Sequence, residues 1–493
     1  MTPNFKMGDG ERHQTIPAKG SVAGADGDTI AAIATAAGSG GIGIIRISGP
    51  KAGAIAQRLF RPGSARPKEK PPQSQPFKPY RLNYGHLVGP CSGQPLDEVL
   101  LAFMPGPRSY TREDIIEIQC HGGQIVLQKI LDMVRTLGAR LAEPGEFTRR
   151  AFLNGRIDLS QAEAVADLIN ARSEMALKLA ARQLSGELGS RINGIVDAVT
   201  DMLAEIEADL EFGEQGSVGV SAAAIDDRAL QERVIEPIQG LLRGYGFGRI
   251  LRDGLKLAIV GRPNVGKSSL LNRIIDREKA IVTPFPGTTR DPVEASATIE
   301  GVGIRLIDTA GLRESQDPIE RMGIEKTREA LRSADLVLFV IEAQTTPGAE
   351  DQRILAEIKG REFLLVVNKC DLVTGAEMIR LPEAYRVNPA IFVSAKTGDG
   401  LDRLKKGIGA LWGQGAREEM GETLVSDLRH KLALEGALFD ARNAARGLKD
   451  NRAATDMVAM DLKHALVQLQ GITGQAAGGD VLDAIFRKFC IGK

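Results

Sequence analysis

Cysteine, aromatic side chains and net charge are all scarce in this chain, and each scarcity removes a class of function. The 493 residues include four cysteines (Cys91, Cys120, Cys370, Cys490), too far apart for a CxxC pair. None stands at zinc-ligand spacing with the five histidines, so neither a disulfide scaffold nor a zinc module is expected. A reducing cytoplasm is the expected location. Aromatics are 4% of residues, which argues against a broad base-stacking platform for single strands. Lysine plus arginine (63) balances aspartate plus glutamate (63), so any RNA contact must be a local patch. No stretch approaches the ~20 apolar residues of a membrane span, and no membrane partner is expected. Met1–Asp26 lacks the apolar core of a secretion signal.

What is present points to a multi-domain protein, since a domain usually takes roughly 100–200 residues. Residues 1–27 read as a disordered leader. From Asp28 to about Ser48, β-branched and small residues surround a glycine cluster, the signature of a β-hairpin. Gly38, Gly40 and Gly43 match GxGxxG, but Ile44-Ile45-Arg46-Ile47 continues as a strand. A dinucleotide site needs a helix to open there. Residues 61–79 are a loop rich in proline and lysine, and 28–154 as a whole read as an α+β domain. Helical periodicity fills 155–253 and returns over 416–493. Between them, 254–415 alternates short apolar β-runs with helical segments, the pattern of a largely parallel sheet. The expected architecture is therefore an α/β domain inserted into an α-helical one, behind an α+β domain, with the termini of the insert close together.

The insert carries the chemistry. The strand KLAIV runs into Gly261-Arg262-Pro263-Asn264-Val265-Gly266-Lys267-Ser268 and then a helical run beginning at Ser269. This is a phosphate-binding loop in its required strand–loop–helix context. Its backbone N–H groups would cradle phosphates, Lys267 would place a point charge on them, and Ser268 would offer a hydroxyl to Mg2+. Asp308-Thr309-Ala310-Gly311 ends the strand IRLI, where a carboxylate would stand near Mg2+ and a glycine N–H near the γ-phosphate. Asn368-Lys369-Cys370-Asp371 follows LLVV. Asp371 would accept both N–H groups of the guanine edge; adenine offers an acceptor there and would leave a buried carboxylate poorly paired. Ser394-Ala395-Lys396 follows AIFV and would close over the base. Together these segments read as a GTPase, and their pattern resembles the Era-like branch of translation-factor-type GTPases.

Leu312 follows this Asp308–Gly311 motif, where Ras-like GTPases carry the glutamine that orients the attacking water. Leucine cannot hydrogen-bond water, so another group must position it. Glu320 is one candidate, its alternative being a solvated carboxylate at a helix start. Arg290 and Arg313 stand as competing arginine fingers or as ordinary surface charges. Asn264 and the stretch Thr283–Asp291 supply neutral oxygens suited to a monovalent cation, which would bring a positive charge to the transition state.

The loop GRPNVGKSSLLN, the segments GTTRD and DTAGLRE, the insertion between helices and the terminal Phe489-Cys490-Ile491-Gly492-Lys493 resemble the MnmE (TrmE) family of tRNA modification GTPases over about residues 28–493. That resemblance implies a cytoplasmic homodimer joined through its N-terminal domains. With an FAD-dependent MnmG-type flavoprotein it would form a heterotetramer and add an aminomethyl or carboxymethylaminomethyl group to C5 of the wobble uridine of certain tRNAs. It implies K+ held by Asn264, Thr283 and backbone oxygens near Phe285 and Thr288, and Mg2+ held by Ser268 and Thr289. Glu320 becomes the catalytic glutamate. Phe285 replaces an expected aliphatic residue, a change that a carbonyl ligand tolerates. The resemblance further implies that the N-terminal domain is folate-binding and takes 5-formyltetrahydrofolate or a related tetrahydrofolate, with Arg46, Glu117, Arg156 and Lys493 as contacts. Arg156 stands where some relatives have lysine, keeping the charge but changing its shape. Read on their own, Arg46 could simply face solvent between isoleucines and Glu117 could pair with a nearby arginine, which would assign neither a function. Cys490 is either a small buried hydrophobe or a catalytic thiol. Two other readings stand beside this one. An Era-like ribosome-assembly switch would be expected to carry a KH-like segment, which is missing from the sequence after the insert. A stand-alone folate-dependent one-carbon transferase leaves the GTP site unexplained.

Overall fold

The structure, a computed structural model, describes residues 27–63, 77–90, 93–213, 227–277, 295–307, 331–373, 381–382, 385, 390–419, 423–449 and 455–492. These fall into two compact units. One takes the described residues up to Arg150 together with those from Gly479 onward, and the other takes Ala151–Gly478.

The first unit is built on a seven-stranded sheet. Its elements are β1 (Ile30–Ile33), β2 (Gly40–Ser48), α1 (Ala52–Leu59), β3 (Phe60–Pro62), β4 (Leu82–Val88), β5 (Pro95–Met104), β6 (Ile115–Gly122), α2 (Gln124–Thr136), β7 (Arg140–Leu141) and the start of α3 (Glu146–Leu153). The strand order is β3-β4-β5-β6-β2-β1-β7. Pairing is antiparallel except between β1 and β7. Strand alternation decides the core. Ile45 and Ile47 of β2, Leu101 and Phe103 of β5 and Ile116 and Ile118 of β6 point to one face, where Ile55 and Leu59 of α1 and Leu127, Ile130 and Val134 of α2 cover them. The intervening positions, Arg46, Glu117 and Gln119 among them, belong to the opposite face. The chain just before β1 is fastened to α3 by ionic contacts around Arg150. Its guanidinium donates to Asp28 (2.6 Å), Glu146 (3.0 Å) and Glu113 (3.1 Å).

The second unit contains the helices α4 (Leu159–Asn170), α5 (Glu174–Leu184), α6 (Glu187–Gly213), α7 (Asp227–Leu230), α8 (Glu236–Arg243) and α9 (Tyr245–Asp253). Its α/β part follows, with β8 (Leu255–Val260), α10 (Lys267–Arg277), β9 (Ala295–Ile299), β10 (Val302–Ile307), β11 (Leu336–Glu342), α11 (Ala349–Glu357), β12 (Phe363–Asn368), β13 (Ile391–Phe392) and α12 (Leu401–Glu419). The chain then returns to the helices as α13 (Leu428–Lys449) and α14 (Thr455–Thr473). Asp158 opens α4 with a capping box, accepting from the Gln161 N–H while its own N–H is met by the Gln161 side chain. Val199, Leu230, Val234, Leu434, Leu462 and Leu469 form one helical core, which joins segments on both sides of the α/β part.

The six-stranded sheet runs β13-β12-β11-β8-β10-β9, parallel throughout except for the β9–β10 pair. Its central strands read as nearly continuous apolar runs because both faces are covered; Leu336–Ile341 is buried at every position. Helix α9 leads directly into β8. Arg252 on it spans Asp167 (2.9 Å) and Asp427 (2.6 Å), while Arg249 holds Asp335 (2.6 Å) at the start of β11. The last helix, α15 (Gly479–Phe486), and the tail after it pack with the first unit.

Candidate functional site

Strand β8 delivers the loop 261–266 to the N-terminus of α10, and backbone geometry makes its glycines necessary. Gly261 (φ +153°) and Gly266 (φ +96°) both lie in the region that L-residues avoid. A Cβ at Gly261 would stand 2.2 Å from the carbonyl oxygen of Val340, and one at Gly266 would stand 2.2 Å from Nδ2 of Asn368. Asn264 also sits at positive φ (+64°), a conformation its short polar side chain tolerates. Val265 anchors the loop in the sheet core, and Ser268 and Ser269 are exposed at the start of the helix. Lys267 folds back over the loop, its Nζ donating to the carbonyls of Gly261 (2.7 Å) and Arg262 (2.8 Å). Burial pushes the pKa of this ammonium down from its ordinary value. A half-buried lysine whose hydrogen bonds among the described residues go to carbonyl oxygens, at a helix N-terminus, is arranged for an anion of high charge.

The base-side loops are tied to the phosphate loop through one side chain. Asn368, at the end of β12 and 1% exposed, donates from Nδ2 to the Val265 carbonyl (2.8 Å) and accepts the Ala395 N–H at Oδ1 (3.0 Å). Lys369 adopts a left-handed φ of +63° and reaches Glu342 on β11 at 2.8 Å. Asp371 accepts the Ser394 hydroxyl at 2.6 Å, which fixes the carboxylate and leaves it lone pairs for a ligand. Ala395 is buried and Lys396 exposed beside it. Three sequence-predicted segments therefore converge: 264–269, 368–371 and 394–396. Such an arrangement can hold a polyphosphate at one end and read paired N–H donors at the other.

Thr283, Phe285, Thr288, Thr289, Asp308, Thr309, Ala310, Gly311 and Glu320, with Arg290, Leu312 and Arg313, lie outside the described residues. Two supports had no signal in the sequence. Val340, on the neighbouring strand, blocks any side chain at position 261. Arg262 within the loop donates from Nε to Asp351 (2.9 Å), a fully buried carboxylate that also caps α11.

The first unit brings together a second set. Arg46 and Glu117 are direct cross-strand partners on β2 and β6. Arg46 Nε donates to Glu117 Oε1 at 2.8 Å, and each side chain is about one-fifth exposed (20% and 19%). Arg46 also donates to the Gly492 carbonyl (3.2 Å), and its guanidinium carbon lies 5.6 Å from the centre of the buried Phe147 ring. The reading in which Arg46 simply faces solvent is thus corrected, because strand register places a carboxylate beside it and the C-terminal tail over it. The tail is seated by Gly492 (φ +96°), where a Cβ would meet the Ile33 carbonyl at 2.4 Å. Cys490 is exposed rather than a buried hydrophobe, and its carbonyl accepts the Gly145 N–H. Arg156, in the turn after α3, belongs to the second unit, its N–H donating to the Ala151 carbonyl. Lys493 lies outside the described residues.

Comparison with known proteins covers the segments that carry both sets. The family model for the MnmE helical domain matches residues 159–490, and that for the GTP-binding protein TrmE N-terminus matches residues 29–156. A tRNA modification GTPase MnmE from Carboxydothermus hydrogenoformans is 44% identical over 472 residues, covering 94% of this chain and 99% of its own. Its counterpart from Geotalea uraniireducens is 45% identical over 473 residues, with the same coverage. Among solved structures, Era in complex with MgGDPNP and a 16S ribosomal RNA segment is 32% identical, with a TM-score of 0.26, over 31% of this chain and 54% of that one. The G domain of the T. maritima FeoB iron transporter is 26% identical, with a TM-score of 0.24, over 32% of this chain and 97% of that one. The chain belongs to the MnmE family of tRNA modification GTPases.

Proposed function

We propose that this GTPase, with an FAD-dependent MnmG-type flavoprotein, adds an aminomethyl or carboxymethylaminomethyl group to C5 of the wobble uridine in certain tRNAs. The observation that carries the reading is the near-complete alignment to relatives named tRNA modification GTPase MnmE, spanning both units at 44% identity and 99% of the relative's length. The active assembly is a cytoplasmic homodimer that forms a heterotetramer with the flavoprotein. No helix among the described residues is long and apolar enough to cross a membrane.

The donor set fits the proposed ions. Ser268 at the start of α10, with Thr289, would hold Mg2+, and Asp308 would stand near it. Asn264, Thr283 and backbone oxygens at Phe285 and Thr288 are all neutral oxygens, which suits the single charge of K+. That ion would supply positive charge where γ-phosphate oxygens become more negative. Lys267 leaves its two carbonyls and binds the β- and γ-phosphates, Asp371 selects guanine, and Glu320 orients water.

In the first unit, the Arg46–Glu117 pair beside the C-terminal tail offers the fixed cation and carboxylate that a pterin and its glutamyl tail require. The folate-binding assignment takes 5-formyltetrahydrofolate or a related tetrahydrofolate there, with Lys493 as a further cation and Cys490 as the thiol of the tail. The folate supplies the one-carbon unit.

The test is nucleoside mass spectrometry of tRNA from cells lacking the protein, rescued by wild type or by Lys267→Ala. Loss of C5-aminomethyl-type wobble uridines, restored by wild type alone, is expected. An unchanged nucleoside profile overturns the reading and directs attention to ribosome assembly.

A further inference from the structure

The chain is electrostatically neutral overall, yet one exposed corner of the first unit concentrates cations around an aromatic ring. Two turns meet there. The turn before β4 carries Lys78, Tyr80 and Arg81, and Asn83 organises it, accepting the Lys78 N–H and donating to the Lys78 and Arg81 carbonyls. The turn between β5 and β6 carries Arg108 and Arg112. The Tyr80 hydroxyl joins the two turns, 3.2 Å from the Pro105 carbonyl and 3.1 Å from that of Arg108. Gly106 and Arg112 are in backbone contact, since a Cβ at Gly106 would stand 2.7 Å from the Arg112 carbonyl oxygen.

All four cationic residues are exposed. Among the described residues, Lys78, Arg81 and Arg108 have no carboxylate partner. The nearest carboxylates in sequence are already engaged: Glu113 with Ser48 (2.7 Å) and Arg150 (3.1 Å), and Asp114 with the Gly106 N–H (2.9 Å). Tyr80 is 54% exposed and holds a φ of +54°. That left-handed conformation is strained for a residue with a Cβ, and a glycine would avoid it. The turn therefore keeps a ring in the open at a cost to its own backbone.

We propose that Lys78, Arg81, Arg108 and Arg112, grouped around Tyr80, form a contact surface for the phosphate backbone of the tRNA substrate, with the tyrosine ring as a stacking platform for one base. Exposed cations beside an exposed aromatic are what RNA recognition uses, charge for backbone position and a π-face for an unstacked base. The location supports the partner. Arg81 immediately precedes Leu82, which begins a row across the sheet: Leu82 pairs with Ala102, Ala102 with Glu117, and Glu117 with Arg46. Three strand spacings of about 4.8 Å put Arg46 roughly 14 Å from Leu82. Backbone held at the corner leaves a splayed-out nucleotide within reach of the Arg46–Glu117 pair and the tail that carries Cys490. The proposal rests on tRNA being the substrate of this protein.

The experiment uses the full chain and an unmodified tRNA transcript. Binding is measured over a salt series for wild type and for the combined Lys78→Gln, Arg81→Gln, Arg108→Gln variant, with GTP turnover as the check on folding. The expected result is at least a tenfold loss of tRNA affinity at low salt with turnover unchanged. The slope of log affinity against log salt should fall by about 2–3, since each of the three lost phosphate contacts removes roughly 0.7–0.9. Tyr80→Phe should bind tRNA nearly as wild type and Tyr80→Leu several-fold more weakly. Equal affinity and slope for wild type and the triple variant overturn the proposal, as does a wild type that binds no tRNA. A variant that loses only its affinity for the flavoprotein also overturns it, making the corner a protein contact. If wild type restores wobble modification in cells while the triple variant binds tRNA normally, the surface fails and the functional reading stands. If wild type restores nothing, the functional reading fails first.

Discussion

Gly266→Ala should damage the nucleotide site through a side chain 102 positions away in sequence, and the damage can be apportioned. The new methyl would lie 2.2 Å from Nδ2 of Asn368. Asn368 cannot swing aside without loss, because that nitrogen donates to Val265 and its oxygen accepts from Ala395. Displacing it leaves a buried carbonyl or N–H unpaired, at about 1–3 kcal/mol. The φ of +96° adds roughly 1–2 kcal/mol for any residue bearing a Cβ. The single substitution should therefore cost about 2–5 kcal/mol, shared between GDP affinity and local stability.

Asn368→Ala removes the obstacle as well as the two bonds. In that background Gly266→Ala should cost only its backbone strain, so a double-mutant cycle should return a coupling of about 1–3 kcal/mol. Fluorescent GDP titration gives the binding part. Hydrogen exchange of the amides in Leu255–Val260 gives the stability part without assuming that the whole chain unfolds in one step. Additivity of the two substitutions within about 0.5 kcal/mol would refute the claim that Asn368 sets the space available at position 266.

Asp371→Asn presents an amide where guanine offers donors, so GTP preference over ATP should fall by about a hundredfold or more; an undiminished preference in competition titration removes the assignment. Replacing potassium by sodium should depress GTP turnover, and equal rates in both salts would sink the cation proposal. Glu163 is buried, which alone would raise its pKa, but contacts with His430 (2.7 Å) and Arg429 (2.8 Å) hold it down at about 2 against an ordinary 4.5. A depressed carboxylate stabilises the fold above its unfolded pKa and loses that contribution as pH falls. The stability gap between wild type and Glu163→Gln in urea unfolding should therefore be full above about pH 4.5 and close towards pH 2, on the order of 3 kcal/mol; a gap constant across that window contradicts it. Gly492→Ala should unseat the tail from Ile33 and lower wobble modification with GTP turnover intact, and normal modification would show that the tail's seat is dispensable.

What was legible in the sequence was local. The loop 261–268 could be read because strand, glycines, lysine and helix start are contiguous, and the chemistry of phosphate binding needs them contiguous. The segments at 368–371 and 394–396 were legible for the same reason, each following its own strand. Asn368 shows the limit. Its presence in the segment 368–371 was visible, but its bonds to Val265 and Ala395 depend on β12 lying one strand from β11, itself beside β8, in a sheet whose order is not the order of the chain. Arg46 shows a related limit. Alternation says which face a residue takes, and only the register between β2 and β6 says that Glu117 stands opposite.

The two candidate sites differ in how far they depend on the tertiary fold, and that difference explains which one the sequence exposed. The described part of the nucleotide site is drawn from residues 264 to 396, each segment carried by its own strand of one sheet, so that a sheet of the right topology suffices to assemble it. The first unit's set needs residue 46, residue 117 and a tail carbonyl 446 positions from Arg46. It exists only when the last helix and tail return to the unit where the chain began. Nothing in the spacing of those residues announces this, because a pattern within one segment cannot encode which end of the chain will cover it. A motif search therefore finds the candidate nucleotide site, whereas the set built around Arg46 appears once register and tail are in place.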